Sequence, residues 1–191
     1  MKKAIKILTT IAIILITFFI IFTVLSAIYF GSWEDGKINN LNIYYNKVTK
    51  FCLAGEFEWD GDTENMTFTV PDEYEGIKIS SLGGFFGSGA PVLFCVKVPD
   101  SLHPEVVSCT EAEECVGVVN EDTVTYSFTV KLGKNIKTFE RFTYKEYFMD
   151  ANDNVIYIVE TKYECSEDNK YAYTEIGKLY NKRTNQLVYW F

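Results

Sequence analysis

A serine held between glycines, Gly87-Ser88-Gly89, and the only histidine, His103, are the first residues here that invite a chemical reading. A serine nucleophile needs a G-x-S-x-G elbow between strand and helix, and an imidazole to take its proton. The second glycine spacing fails, and His103 sits in "SLHPE", before a proline, where a loop is expected. The run "SSLGGFFGSG" also lacks the features of a phosphate cradle. Such a cradle opens a helix and supplies a Gly-Lys-Ser/Thr ending, whereas Ala90 and Pro91 follow here and the next lysine is Lys97. These glycines are read as a bend that needs positive φ and close packing.

Metal and acid chemistry fare no better. His103, Cys109 and Cys115 give H-x5-C-x5-C, without the tight pairs of structural zinc. "DANDN" puts Asp150, Asn152 and Asn154 at the first three ligand positions of a calcium loop, but Val155 and Thr161 stand where glycine and glutamate belong. Glu111, Glu113 and Glu114, like Asp72, Glu73 and Glu75, lie in polar loops where solvation accounts for them. No catalytic residue, cofactor, metal or small-molecule substrate is therefore expected. A hydrolase with an unrecognised carboxylate site is the least favoured alternative.

The elements that would carry any site are mostly strands. Apolar residues recur with period two at Phe57 and Trp59, at Met66, Phe68 and Val70, at Tyr126, Phe128, Val130 and Leu132, and through Val155, Tyr157, Val159, Tyr163 and Cys165. That alternation, rich in aromatic and β-branched side chains, predicts half-buried strands. "WDGD" and "DANDN" are read as hairpin connections, and "RFTYKEYFM" is expected to pair antiparallel with "NVIYIVETKYEC". Pro71 and Pro99 are expected to end strands. Residues 37–54 fit a short helix or irregular structure, and 31–55 is read as a linker or packing segment before a β-rich domain over 56–191.

Residues 7–30 carry no charge. As a helix they extend about 36 Å, enough to cross a hydrocarbon core of about 30 Å. Lys2, Lys3 and Lys6 precede this run and no acidic residue appears before Glu34, which predicts a cytoplasmic tail over 1–6 and an exported remainder. A cleaved signal peptide would have a shorter apolar run, and Ser26-Ala27 make a poor cleavage site, so an uncleaved anchor in the cell membrane is expected. The exported part has 15 basic and 26 acidic residues, a net charge of −11. That surplus of acid makes the domain a poor candidate for binding nucleic acid or anionic lipid. Export permits disulfides, and Cys109 with Cys115, flanking "TEAEE", is the expected pair. Cys95, in "PVLFCVKV", is read as a buried small hydrophobe.

Val70-Pro71-Asp72 recurs as Val98-Pro99-Asp100, and Phe68-Thr69-Val70 recurs as Phe128-Thr129-Val130. "FTVPDEYEGIKISSLGGFF" and "FTVKLGKNIKTFERF" resemble units of the BspA-type leucine-rich repeats. The tail "NKYAYTEIGKLYNKRTNQLVYW" is similar to that family's Asn-x-x-Tyr, Gly-x-Leu-Tyr-x-Lys, Thr-x-x-Leu-Val phrase. The match is best over residues 66–84, 126–142 and 165–189, and the stretch Glu105 to Asp122 interrupts it. The resemblance implies a short, degenerate solenoid on a bacterial cell surface that binds other proteins or displays a surface, without catalysis. The second expectation is an accessory subunit whose helix meets a membrane partner through Thr9, Thr10, Thr17, Thr23 and Ser26.

Overall fold

The uncharged run forms one helix, α1 (Lys2–Gly31), and Ser32 alone separates it from the first strand. The stretch Lys6–Gly31 is long and apolar enough to cross a membrane, and none of it is buried against the rest of the chain. The computed structural model describes residues 2–61, 66–86, 89–99, 107–110 and 117–189.

After the helix the chain is mainly β. The strands are β1 (Trp33–Ile38), β2 (Leu41–Asn46), β3 (Phe51–Glu58), β4 (Thr67–Thr69), β5 (Glu73–Tyr74) and β6 (Ile77–Lys78). Next come β7 (Ser81–Leu82), β8 (Gly84–Phe86), β9 (Ala90–Val92), β10 (Val96–Lys97), β11 (Val107–Thr110) and β12 (Val124–Leu132). The chain continues through β13 (Thr138–Phe139), β14 (Lys145–Met149), β15 (Val155–Cys165), β16 (Ala172–Glu175) and β17 (Lys178–Asn181).

Two sheets share one plan. In the first, β1–β2–β3 run antiparallel and β3–β7–β13 run parallel. In the second, β11–β14–β15 run antiparallel and β15–β12–β4 run parallel. The parallel part of the first sheet sets Leu53-Ala54, Ser81-Leu82 and Thr138-Phe139 side by side. The pairs β5–β6, β8–β9 and β16–β17 are separate antiparallel hairpins.

The inward faces of both sheets meet in one core. Phe57 lies 4.6 Å from Phe68, Trp59 5.2 Å from Phe128, and Phe94 6.2 Å from Tyr163, all between ring centroids. Each buried aromatic of this kind contributes about 1.5–3 kcal/mol by leaving water. Tyr163 is fully buried, and its Oη donates to the Thr143 carbonyl at 2.6 Å. The period-two reading holds: Phe57, Trp59, Phe68, Val70, Phe128, Val130 and Leu132 are buried, while Glu58, Thr67, Thr69 and Lys131 face out. β14 and β15 pair antiparallel across "DANDN", and Pro71 and Pro99 lie just past β4 and β10.

Two expectations change. Residues 37–54 are neither helical nor irregular but supply β2 and parts of β1 and β3; Leu41, Ile43 and Tyr45 alternate inward, and Asn39-Asn40 form a two-residue turn with φ 52° at Asn39. The segment 31–55, read as a linker or packing segment, contains β1, β2 and part of β3. "WDGD" begins a crossover, not a hairpin, since β3 lies in one sheet and β4 in the other. The two Phe-Thr-Val copies are parallel neighbours, with Phe68 opposite Val130 and so two residues out of step with Phe128. A two-residue slip keeps the same side chains inward, so the core tolerates it.

Candidate functional site

The residues with chemical potential are used structurally or fall outside the described part of the chain. Gly87, Ser88, His103, Cys115, Glu111, Glu113 and Glu114 all lie outside it, as does the expected Cys109–Cys115 bridge; Cys109 is placed by backbone alone, in β11 opposite Tyr147. Gly83 shows what its part of the glycine run does. Its φ is +60°, and a Cβ there would lie 2.0 Å from the Arg141 carbonyl oxygen and 2.7 Å from that of Val92. The Arg141 carbonyl is occupied, accepting the Phe94 N–H at 2.7 Å. This is close backbone packing of the bend after β7 against the segment that follows β13 and against the end of β9.

Asp150 is equally committed. Its Oδ1 accepts the N–H of Asn152 at 2.8 Å and of Asn154 at 2.9 Å, and its Oδ2 accepts Asn154 Nδ2 at 3.0 Å. These donors, the Asn154 side chain foremost, hold the Asp150 carboxyl below its ordinary range. The loop folds on itself as a side-chain-stabilised turn. Among the described residues no group of three His, Cys, Asp or Glu side chains is placed to hold a metal ion.

The described thiols are poor nucleophiles. Cys52 and Cys95 are buried, Cys165 is half-buried, and none of the three is bridged. Burial pushes Cys52 up to about 12 and Cys165 to about 11, and raises Cys95 well above its usual value, with Glu146 and Glu56 adding to the last. The thiolate is the reactive form, so these thiols stay inert.

Two arrangements were not foreseen. In the first, side chains staple one parallel strand connection to the next. Asp72 Oδ1 accepts the Lys134 N–H at 2.8 Å, and Asn135 Nδ2 donates to the Asp72 carbonyl at 3.0 Å. Asn169, 1% exposed, donates from Nδ2 to the Gly133 and Ile136 carbonyls at 3.0 and 2.9 Å. Its Oδ1 accepts the N–H groups of Tyr171 and Ala172 at 2.8 and 3.0 Å. The Asn169 of the family-like tail phrase is a fully satisfied buried amide.

The second arrangement is an aromatic junction where α1 enters the first sheet. Tyr29 meets Trp33 at 6.2 Å, and Trp33 meets Phe51 at 5.7 Å and Phe86 at 5.6 Å. Asn46 Nδ2 donates to the Tyr29 carbonyl at 2.9 Å, and Ser32 Oγ donates to Ile28 O at 2.5 Å. Trp33 Nε1 is buried with no acceptor among the described residues. Nearby, Glu34 accepts from Lys47 Nζ and Tyr45 Oη, both at 2.8 Å. The Lys47 bond, then that of Tyr45, lowers the Glu34 pKa, while Glu34 pushes Tyr45 up to about 12. Consecutive aromatics in sequence hint at Tyr29-Phe30 and Phe85-Phe86, but nothing local brings Phe51 and Phe86 to Trp33.

On α1, Thr10 and Thr23 turn their hydroxyls back to the carbonyls of Lys6 and Phe19 at 3.0 and 2.7 Å. Two of the hydroxyls expected to meet a membrane partner are thus satisfied within the helix. Comparison with protein-family models, curated proteins and solved structures finds no match to this chain.

Proposed function

We propose that α1 is an uncleaved membrane anchor with Lys2, Lys3 and Lys6 in the cytoplasm, carrying the β body outside as a non-enzymatic binding or display module. The observation that carries this reading is the join itself. α1 runs unbroken through Ser26-Ala27 to Gly31, Ser32 alone leads into β1, and Asn46 ties the last helical turn to β2. Helix and body form one continuous unit, as an anchor requires and a discarded leader does not.

The body is read as a short, degenerate leucine-rich-repeat-like array. Support comes from the two parallel ladders and from the staples at Asp72, Asn135 and Asn169, which join the parts that resemble the repeats. Stacked units of this type bury a core that no single unit can bury. The inert thiols and the self-contained Asp150 turn favour binding over catalysis. The acid surplus favours a protein partner over nucleic acid.

Protease treatment of intact cells, followed by mass analysis of the membrane-extracted product, tests the reading. The expected result is loss of the body with residues 1–6 still attached to α1. A mature chain that starts after Ala27, or a body that survives in intact cells, overturns it.

A further inference from the structure

We propose that the body sits directly on the bilayer, with the β2–β3 turn and β8 pressed into the headgroup layer around the exit point of α1. This rests on the anchor reading above. The register fixes the geometry. Trp33 pairs with Asn46, and Asn46 with Phe51, so these three residues line one end of the first sheet. The turn 47–50 extends beyond that end, on the side from which α1 arrives, because Asn46 is bonded to Tyr29 in the last helical turn.

The side chains on this end suit a lipid interface. Val48 is 60% exposed and Phe85 56% exposed; Val118, Val119, Val124, Tyr171, Ile176 and Tyr189 are exposed in other elements of the body. Tyr29 and Phe30, 44% and 52% exposed, stand at the end of the apolar run, Tyr29 against Trp33. Aromatic rings at that depth mark the membrane–water boundary. The charge also fits. The exported part carries −11, yet the turn "KVTK" has two lysines and no acid. Lys47 is engaged by two acids, Glu34 at 2.8 Å and Glu75 at 3.6 Å, so the cation this end offers is Lys50, which forms no ion pair among the described residues. The Arg141 guanidinium lies 5.6 Å from the centre of the Phe85 ring. Apolar tips with cations behind them match acyl chains below and phosphates above.

Ser32 is the only spacer between α1 and β1, and the interfacial layer is about 5–8 Å thick on each side of the hydrocarbon. A helix that crosses the membrane therefore carries the turn 47–50 into that layer. The occupant is the phospholipid of the same bilayer, with Lys50 toward phosphate oxygens.

The test uses the full chain in bilayers of equal parts phosphatidylcholine and phosphatidylglycerol, with nitroxide-labelled lipids as quenchers. Val48→Trp adds a probe at the turn, and the native tryptophan signal is subtracted with the unchanged protein. The introduced tryptophan is expected to lose more than about half its emission to a headgroup nitroxide, since an interfacial side chain sits about 5–10 Å into this boundary. Aqueous iodide should barely reach it. Ile16→Trp reports on the anchor separately and should be quenched by a nitroxide deep in the acyl chain. Deep quenching at position 16 together with free access of iodide at position 48 overturns the seat and leaves the anchor standing. No deep quenching at position 16 overturns the anchor, and the seat with it. Lys50→Glu should weaken the headgroup signal of the Val48→Trp probe in this bilayer; an unchanged signal removes Lys50 from the contact.

Discussion

The parallel and antiparallel halves of the two sheets are held by different means. Each antiparallel half carries its own instructions: β1–β2 and β14–β15 are joined by short turns whose Asn and Asp residues set the register. The parallel halves join residues far apart in the chain, Ser81 to Thr138 and Phe68 to Val130. They rely on single groups, Gly83, Asp72, Asn135 and Asn169, which fix one connection to the next. The lesson is that tolerance to change should divide along the same line. A hairpin can lose a side chain and keep its ladder, whereas a parallel stack loses its spacing when one staple fails.

Gly83→Ala is the most severe way to test this. The new methyl would meet two backbone carbonyls, one at 2.0 Å, in a φ of +60°. A loss of more than about 4 kcal/mol is expected, near the limit of what one substitution does to a domain. Urea unfolding should find the variant largely unfolded without denaturant, and a native-like midpoint would refute the packing argument.

Asn169→Ala comes next. It leaves two N–H groups, the one on Ala172 buried, and two carbonyls without the amide that served them, and about 2–4 kcal/mol should be lost. A loss under about 1 kcal/mol in the same titration would mean that water replaces the staple.

At the helix-entry end of the antiparallel half the effects shrink. Trp33→Ala should cost about 2 kcal/mol, as the ring is only partly covered. Trp33→Phe should stay within about 1 kcal/mol, because the indole N–H it removes has no acceptor among the described residues. Equal losses for the two would show that the N–H is engaged after all.

Ile176 reverses the sign. It is 95% exposed with φ 50°, next to Gly177 in the two-residue turn between β16 and β17. A β-branched residue is strained there, so Ile176→Asn should raise stability by about 1 kcal/mol. A drop instead would indicate a contact for the exposed side chain.

The smallest effect is local and depends on pH. Hydrogen bonds, first from the Asn154 side chain, lower the Asp150 pKa in the folded protein. The turn is therefore fully stabilised above the ordinary aspartate value and is lost only as pH falls through the lowered one. The amide shifts of Asn152 and Asn154 should titrate below the ordinary aspartate range. Movement at the unperturbed value would mean that the turn is open in solution.

The same division explains what the sequence revealed. β12, β14 and β15 were legible because Tyr126 to Leu132 and Val155 to Tyr163 alternate over enough residues to show a period, and because "DANDN" marks the turn. β7, β10 and β13 have two residues each, too few to show a period, and their partners are distant in sequence. The β1–β2 hairpin was legible in principle from Leu41, Ile43 and Tyr45, but the added aromatic at Tyr44 and the surrounding asparagines blurred the alternation. Glycine's structural role could be inferred from composition, but Gly83's contact with Arg141 could not. The aromatic junction gathers Tyr29, Trp33, Phe51 and Phe86 from four separate elements, so no window of sequence contains it.

The single-residue spacer at Ser32 also limits reach. A body of this size extends only about 40 Å, and without a stalk it cannot patrol beyond that height. Under the proposed orientation its partners must come down to the membrane or already live there, so its encounters belong to lateral diffusion in two dimensions, not to capture from the open medium.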